Sequence, residues 1–184
     1  EYLSCIPGSI GGAIRMNSGC YDYNISQSLI SLQAISKNGE PKLINSKQIN
    51  FKYRGSDISK DLIFLSATFI GKKKSKENIK EIMEMLILRK KKSQPSQIKT
   101  CGSTFKNPIE QTKKKSWELI KESGCESLSF GGASLSPQHV NFFVNNGKAT
   151  ASDMENLIES VKKKVLSSTG IKLELELEVI GKRI

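Results

Sequence analysis

Residues 62–70 read Leu-Ile-Phe-Leu-Ser-Ala-Thr-Phe-Ile, and this run restricts the possible folds more than any other segment. It falls far short of the ~20 apolar residues that cross a bilayer. Its composition predicts a buried strand. Gly71 and Lys72-Lys73-Lys74 close it, and the pattern then changes. Ser75 can cap a helix running to about residue 91, with Ile79, Ile82, Met83 and Leu86 on one face. A strand-rich stretch before residue 75 and a helix opening the stretch after it predict a mixed α+β chain. The expected parts are 1–74 and 75–184.

Other elements follow from local signals. Residues 5–20 are rich in Gly and small residues and suit a tight loop followed by a short helix from about Ile10. Residues 29–36 read as a strand, 37–40 as a hairpin turn, and 42–44 and 48–52 as short strands. Past a linker at 93–100, Ser116 is expected to cap a short helix with Trp117 and Ile120 in the core. Gly124 stops that helix. Residues 128–135 and 140–145 suit strands. Ser152 and Glu155 form a capping-box pattern. The helix they open presents Leu157, Ile158, Val161 and Val165 inward, and Gly170 ends it. Residues 172–180 alternate as a last strand, with Leu173, Leu175 and Leu177 on one face and Glu174, Glu176 and Glu178 on the other.

Composition bounds the function. At 184 residues, 37% hydrophobic and 26% charged, the chain has the composition of a soluble globular protein. Its net charge of +11 collects in lysine runs at 72–74, 90–92, 113–115 and 162–164. These could mark a nucleic-acid surface. They are scattered, they flank or end predicted helices, and no aromatics interleave with them. Solvated helix faces are the favoured reading, so neither a nucleic-acid nor a membrane partner is expected. Cys5, Cys20, Cys101 and Cys125 show no metal-like spacing with the single His139, which leaves reduced thiols in a cytoplasmic protein.

Residues 101–108, Cys-Gly-Ser-Thr-Phe-Lys-Asn-Pro, carry the clearest chemistry. A Gly-Ser pair holds a hydroxyl on a turn, Phe105 can anchor it, and Lys106 and Asn107 add a cation and an amide. That set suits an anionic substrate. The competing reading is an ordinary polar loop. Three further segments shift the weighting: Ile6-Pro7-Gly8-Ser9-Ile10-Gly11-Gly12-Ala13, Tyr53-Arg54-Gly55-Ser56, and Leu173-Glu174-Leu175-Glu176-Leu177.

Together these segments resemble the UDP-N-acetylenolpyruvoylglucosamine reductases, flavoenzymes of bacterial cell-wall precursor synthesis. The likeness extends to Gly131-Gly132-Ala133-x-Leu135-Ser136-x-x-His139-Val140-Asn141-Phe142 and to Asn145-x-Gly147-x-Ala149-Thr150. It implies the remaining part of a PCMH/vanillyl-alcohol-oxidase-type FAD-binding domain, followed by a substrate-binding α+β domain. No lid-like insertion follows Phe69, as in the shorter type II members. Family enzymes carry a further flavin-binding segment ahead of the Ile-Pro-Gly-Ser motif. Here the chain opens at Glu1, almost on that motif, so a fragment with weak FAD binding is expected.

The resemblance also implies a reaction and its residues. NADPH reduces FAD, and the enolpyruvyl ether of UDP-N-acetylglucosamine enolpyruvate then becomes a lactyl ether. Ser103 matches the family's proton donor to C2, and Arg54 matches the arginine that polarises the substrate carboxylate. Alternation cannot choose among Glu174, Glu176 and Glu178, but the family frame selects Glu176 as the third catalytic position. The flavin-facing set is Ile6, Pro7, Gly8, Ser9, Gly11, Gly12, Ala13 and Asn17. Tyr53, Lys106 and Asn107 correspond to substrate contacts, and His139 to a structural or pocket-wall residue. The complete enzyme is expected to be monomeric and metal-free. The rival from another class is a non-catalytic module that holds a uridine-nucleotide sugar without FAD.

Overall fold

The computed structural model describes residues 1–96 and 98–181. They form two compact units, Glu1–Lys90 and Lys91–Ile184.

The first unit opens with a 3-10 turn over Tyr2–Cys5 and the short helix α1, Ile10–Arg15. Ser9 caps α1: its Oγ accepts a hydrogen bond from the Gly12 N–H at 3.1 Å. Strands β1 (Gly19–Cys20) and β2 (Tyr23–Asn24) then make a tight hairpin. Its turn residues Tyr21 and Asp22 both have positive φ, 54° and 66°, which is the mirror turn that matches strand twist. Gly19 is required there, because a Cβ at this position would lie 2.1 Å from the Tyr23 carbonyl oxygen.

The main sheet of this unit is antiparallel, with β3 (Leu29–Ile35) between β4 (Pro41–Asn45) and β7 (Ile63–Phe69). Leu32 faces Ile44 on one side and Ala67 on the other. It is fully buried in a cluster with Ile14, Ile25, Leu29, Ile49 and Ile58. Fully burying each such side chain contributes about 1.5–3 kcal/mol. A second small hairpin, β5 (Phe51–Lys52) and β6 (Gly55–Ser56), lies between β4 and β7 in sequence. The strand expected over 48–52 is reduced to β5, because Ser46–Gln48 forms a 3-10 turn. The 62–70 run is not buried as its composition suggests. Phe64 and Ala67 pack inward, while Ile63 and Leu65 are 60% and 61% exposed. An edge strand of a sheet covered on one face buries only alternate side chains. Helix α2, Lys76–Ser93, starts where Ser75 Oγ accepts the Asn78 N–H at 3.2 Å. The sequence reading assigns this helix to the second domain, whereas its length up to Lys90 lies in the first unit. There Lys90 Nζ donates to the Cys5 carbonyl at 2.7 Å, and the Arg89 guanidinium lies 4.4 Å from the Tyr21 ring centre.

The second unit is built on a four-stranded antiparallel sheet in the order β8-β11-β10-β9. Its strands are β8 (Thr100–Ser103), β9 (Ser129–Phe130), β10 (Ala133–Leu135) and β11 (Phe142–Asn145). Gly131-Gly132 turns the expected 128–135 strand into the β9–β10 hairpin. Helix α3 spans Ser116–Glu122 and α4 spans Ala151–Thr169. Leu157, Ile158, Val161 and Val165 of α4 are buried against Phe105, Leu119, Ile120, Leu135, Phe143 and Leu173.

Four expectations are corrected here. Thr150 caps α4, not Ser152: Thr150 Oγ1 accepts the Asp153 N–H at 3.1 Å, and Asp153 Oδ2 accepts the Thr150 N–H at 2.9 Å. The Thr150 backbone N–H and hydroxyl hold the Asp153 carboxyl below the usual carboxylate range. Ser116 is the first residue of α3 and not its cap. Trp117 is 38% exposed and is no core residue. The expected strand over 172–180 is represented by one antiparallel bridge, Phe105 to Leu175.

Candidate active site

The ladder between β8 and β11 is irregular. Ser103 faces Phe142 and Thr100 faces Val144, so β8 carries one extra residue over this interval. The bulge contains Gly102, whose φ of +84° is a left-handed conformation. Open space surrounds its missing Cβ, so the constraint lies in the backbone. Bulges of this kind re-aim neighbouring side chains. Ser103, at the end of β8, is half-buried.

Beyond Ser103 the chain is held on both edges. The Thr104 N–H donates to the Asn141 carbonyl at 2.8 Å. Phe105 is buried and meets the Phe143 ring edge-on at 5.8 Å between centres. On the other edge, Lys106 N–H donates to the Glu174 carbonyl and Glu176 N–H to the Thr104 carbonyl, each at 2.9 Å. These two bonds flank the Phe105–Leu175 pair and bring Glu176 beside the residue that follows Ser103.

The structure separates the three glutamates that alternation leaves equivalent. Glu174 and Glu178 are exposed, and Glu176 is half-buried. Lys106 and Asn107 are half-buried as well. Asn107 Oδ1 accepts the Ser116 N–H at 3.0 Å, and Ser116 Oγ donates to the Lys106 carbonyl at 2.5 Å. The start of α3 therefore fixes the backbone that follows the Ser103 loop.

In the first unit, Tyr53 and Arg54 form the two-residue turn between β5 and β6. Arg54 has a φ of 53°, uncommon for a side chain of its size. Its Nη2 donates to the Gly19 carbonyl at 3.0 Å, and its guanidinium lies 5.0 Å from the Tyr53 ring centre. Arg15 contrasts with it. Arg15 donates to the carbonyls of Ile58, Ser59 and Leu62 and lies over the Phe64 ring, so its fork is committed to the scaffold.

The candidate flavin-facing residues divide in the same way. Pro7, Gly8, Ser9 and Gly12 are exposed, and Ile6, Gly11 and Ala13 are half-buried. Asn17 is buried with a φ of 43°. Its Nδ2 donates to the Lys52 carbonyl at 3.0 Å, and its Oδ1 accepts the Ser26 N–H at 3.3 Å. This amide ties α1 to the β5–β6 hairpin.

Two further groups draw attention. Cys5 and Cys20, unpaired by sequence spacing, bring their Sγ atoms to 3.6 Å. Burial, then the neighbouring Cys5 thiol, pushes the Cys20 thiol up to about 11. His139 stacks its ring edge-to-face on Phe142 at 4.8 Å, and its buried Nδ1 has no hydrogen-bond partner among the described residues. Burial pushes its pKa below the usual histidine value. Among the described residues there is no cluster of metal-ligating side chains and no helix long and apolar enough to cross a membrane. Sequence reasoning gave no role to Asn141, whose buried side chain touches the Ser103 loop. It lies two residues after the single histidine, in the Gly131–Phe142 stretch that carries the resemblance.

Residues 94–180 match the family profile described as UDP-N-acetylenolpyruvoylglucosamine reductase, C-terminal domain. The UDP-N-acetylenolpyruvoylglucosamine reductase of Pelagibacter ubique is 51% identical over 180 residues, covering 98% of this chain and 60% of its own length. The Rickettsia typhi protein of the same name is 41% identical over 184 residues, covering 100% of this chain and 61% of its own. The crystal structure of the Thermus caldophilus reductase superposes with a TM-score of 0.80 at 31% identity, over 96% of this chain and 63% of that one. The chain thus spans about three fifths of the length of the relatives it matches. On the profile match, on these identities and on the shared fold, it belongs to the UDP-N-acetylenolpyruvoylglucosamine reductase family.

Proposed function

We propose that this chain serves the reduction of UDP-N-acetylglucosamine enolpyruvate to UDP-N-acetylmuramate in peptidoglycan precursor synthesis, with FAD as resident cofactor and NADPH as co-substrate. The observation that carries the reading is the docking of half-buried Glu176 on the Thr104 carbonyl, next to Ser103. The family relationship supports it. On this reading the first unit belongs to a PCMH/vanillyl-alcohol-oxidase-type FAD-binding domain and the second binds the substrate. The enzyme works in the cytoplasm as a monomer.

The residues around the Ile-Pro-Gly-Ser loop fit a dinucleotide. Pro7, Gly8 and Ser9 are exposed, and no atom lies within 4 Å of a Cβ built on Gly8, so a ligand can approach the backbone closely. Ile6, Pro7, Gly8, Ser9, Gly11, Gly12 and Ala13 would hold FAD, and Asn17 supports them from below. When bound, FAD supplies hydride to C3 of the enolpyruvyl group. The protein's task is to stabilise the charge that grows on C2 and the carboxylate, and to provide a proton.

Arg54 suits the carboxylate because its planar fork can donate two parallel hydrogen bonds. The Ser103 hydroxyl gives its proton to C2. A serine is a weak acid, so it acts only when held at hydrogen-bond distance from a strongly basic carbon. Glu176 contributes to the same proton and charge balance from the adjacent segment. Tyr53, Lys106 and Asn107 contact the nucleotide sugar.

Stopped-flow kinetics on the full-length polypeptide tests this. Ser103→Ala is expected to slow the substrate half-reaction by about 10²–10³, far more than it slows flavin reduction by NADPH. Equal loss in both half-reactions would remove Ser103 from the proton step. A colourless full-length protein that binds the nucleotide sugar without FAD would support a non-catalytic module.

A further inference from the structure

We infer that Asn141 is the positioning residue of the Ser103–Glu176 constellation, an inference that rests on the function proposed above. Regular pairing of β8 with β11 ends at Ser103 and Phe142. The chain before Phe142 turns away: the Phe142 N–H closes onto the His139 carbonyl at 2.8 Å, and the Ser136 N–H onto the Phe142 carbonyl at 2.8 Å. Among the described residues, no strand backbone continues opposite Phe105 on this edge. Phe105 is nevertheless 1% exposed, and a buried peptide needs partners for both its polar groups.

The Asn141 side chain supplies both. Its Oδ1 accepts the Phe105 N–H at 3.0 Å, and its Nδ2 donates to the Phe105 carbonyl at 2.9 Å. The Asn141 main-chain carbonyl takes the preceding amide, Thr104 N–H, at 2.8 Å. One residue, 4% exposed, thus makes three hydrogen bonds to the main chain of two consecutive residues. Only one orientation of the amide satisfies Phe105, since the N–H needs an acceptor and the carbonyl a donor. A primary amide presents the same donor and acceptor pair as a strand peptide, so Asn141 replaces the missing strand.

The consequence reaches the proposed chemistry through the other edge of the same segment. The Thr104 carbonyl and Lys106 N–H hold Glu176 and Glu174. With Asn141 on one edge and the Glu174–Glu176 backbone on the other, the segment from Ser103 to Lys106 has a single register. Asn141 touches neither reacting atoms nor cofactor on this reading. It fixes the spacing between the hydroxyl of Ser103 and the carboxylate of Glu176. A displacement near 1 Å in such a pair can cost about 10²-fold in rate.

Asn141→Ala and Asn141→Asp in the full-length, FAD-loaded polypeptide test this. The aspartate keeps the size and the acceptor for Phe105 N–H, but it sets a second acceptor against the Phe105 carbonyl and adds a charge, so it probes the donor separately from the cavity that alanine leaves. Amide hydrogen exchange should show lost protection at Phe105, Lys106 and Glu176 in Asn141→Ala. In Asn141→Asp the Phe105 amide should stay the better protected. The substrate half-reaction should fall about 10²-fold relative to flavin reduction, chiefly in kcat and less in KM. Unchanged protection at Glu176, or equal slowing of the two half-reactions, would overturn the inference. A wild-type protein that reduces its flavin but never turns over the enolpyruvyl substrate would instead refute the proposed function, whatever the variants do.

Discussion

Glu176 donates its backbone N–H to the carbonyl of Thr104 at 2.9 Å, which places the half-buried one of three alternating glutamates beside Ser103. Glu174 sits one pleat earlier with its carbonyl on Lys106 N–H and its side chain exposed. Glu178 lies one pleat later and is exposed too. Equal spacing therefore hides unequal environments. Exposed surface carboxylates tolerate neutral replacement within about 0.5 kcal/mol.

The expected outcome is one outlier in a series of three. Glu176→Gln should fold normally and lose about 10²–10³ in the substrate half-reaction, the scale of removing one electrostatic stabiliser. Glu174→Gln and Glu178→Gln should stay within a few-fold of the parent. Steady-state kinetics with thermal melts on all three variants decides. A dead Glu174→Gln beside an active Glu176→Gln would show that the exposed position does the chemistry.

Arg54 offers a second test, because its surroundings single out its shape. One nitrogen is bound to the Gly19 carbonyl, and the guanidinium lies against Tyr53. Lysine keeps the charge and cannot reproduce either contact together with a bidentate carboxylate. Arg54→Lys should lose about 10–10² in kcat/KM for the enolpyruvyl substrate, matching a charged hydrogen bond worth about 1.5–3 kcal/mol. Its melting temperature should change little. Wild-type kinetics in this variant would reduce Arg54 to a turn residue.

Elements were legible in the sequence where one periodicity had one solution. Helix α4 shows this: Leu157, Ile158, Val161 and Val165 share a stripe, and Gly170 ends it. Its start was not legible, because Thr150 with Asp153 and Ser152 with Glu155 both fit the capping pattern. The β1–β2 hairpin escaped notice since Tyr21 and Asp22 fill a turn that usually advertises itself with Asn-Gly. Residues 172–180 alternate well, yet only Leu175 makes a bridge, because alternation predicts a face and not a partner. In the candidate site, Ser103, Lys106 and Asn107 stand in one compact motif, but alone that motif reads equally as a polar loop, and only the resemblance singles these residues out. No role for Asn141 could be read, for a buried amide that binds a peptide 36 positions away looks like any polar loop residue.

Gly102 yields a prediction about how Ser103 is aimed. With φ at +84° and no atom within 4 Å of a built Cβ, the cost of a side chain is conformational and not steric. Gly102→Ala should destabilise the protein by about 1–2 kcal/mol, the penalty of a left-handed backbone for a non-glycine residue. If the bulge relaxes to escape that penalty, Ser103 shifts with it and the substrate half-reaction slows. Chemical denaturation together with stopped flow tests both parts. A variant as stable and active as its parent would mean that the bulge has no role in aiming the hydroxyl.

His139 makes stability depend on pH. Its ordinary pKa is 6.5, and burial lowers it in the folded protein. Above 6.5 both folded and unfolded chains carry a neutral imidazole, so the full stability is present. As pH falls through 6.5, the unfolded chain takes up a proton first. Stability is then lost progressively until the pH passes below the folded pKa. The buried, unpartnered Nδ1 against Phe142 supplies the physical cause, since protonation would place a charge where no described acceptor waits. Unfolding free energies measured between about pH 7.5 and 5 should therefore decline for the parent across the histidine range. His139→Gln should decline less over the same window, because it removes the one imidazole and leaves the carboxylates, which titrate lower. Parallel pH curves for parent and variant would show that His139 titrates alike in both states and that its ring is better solvated than its packing on Phe142 indicates.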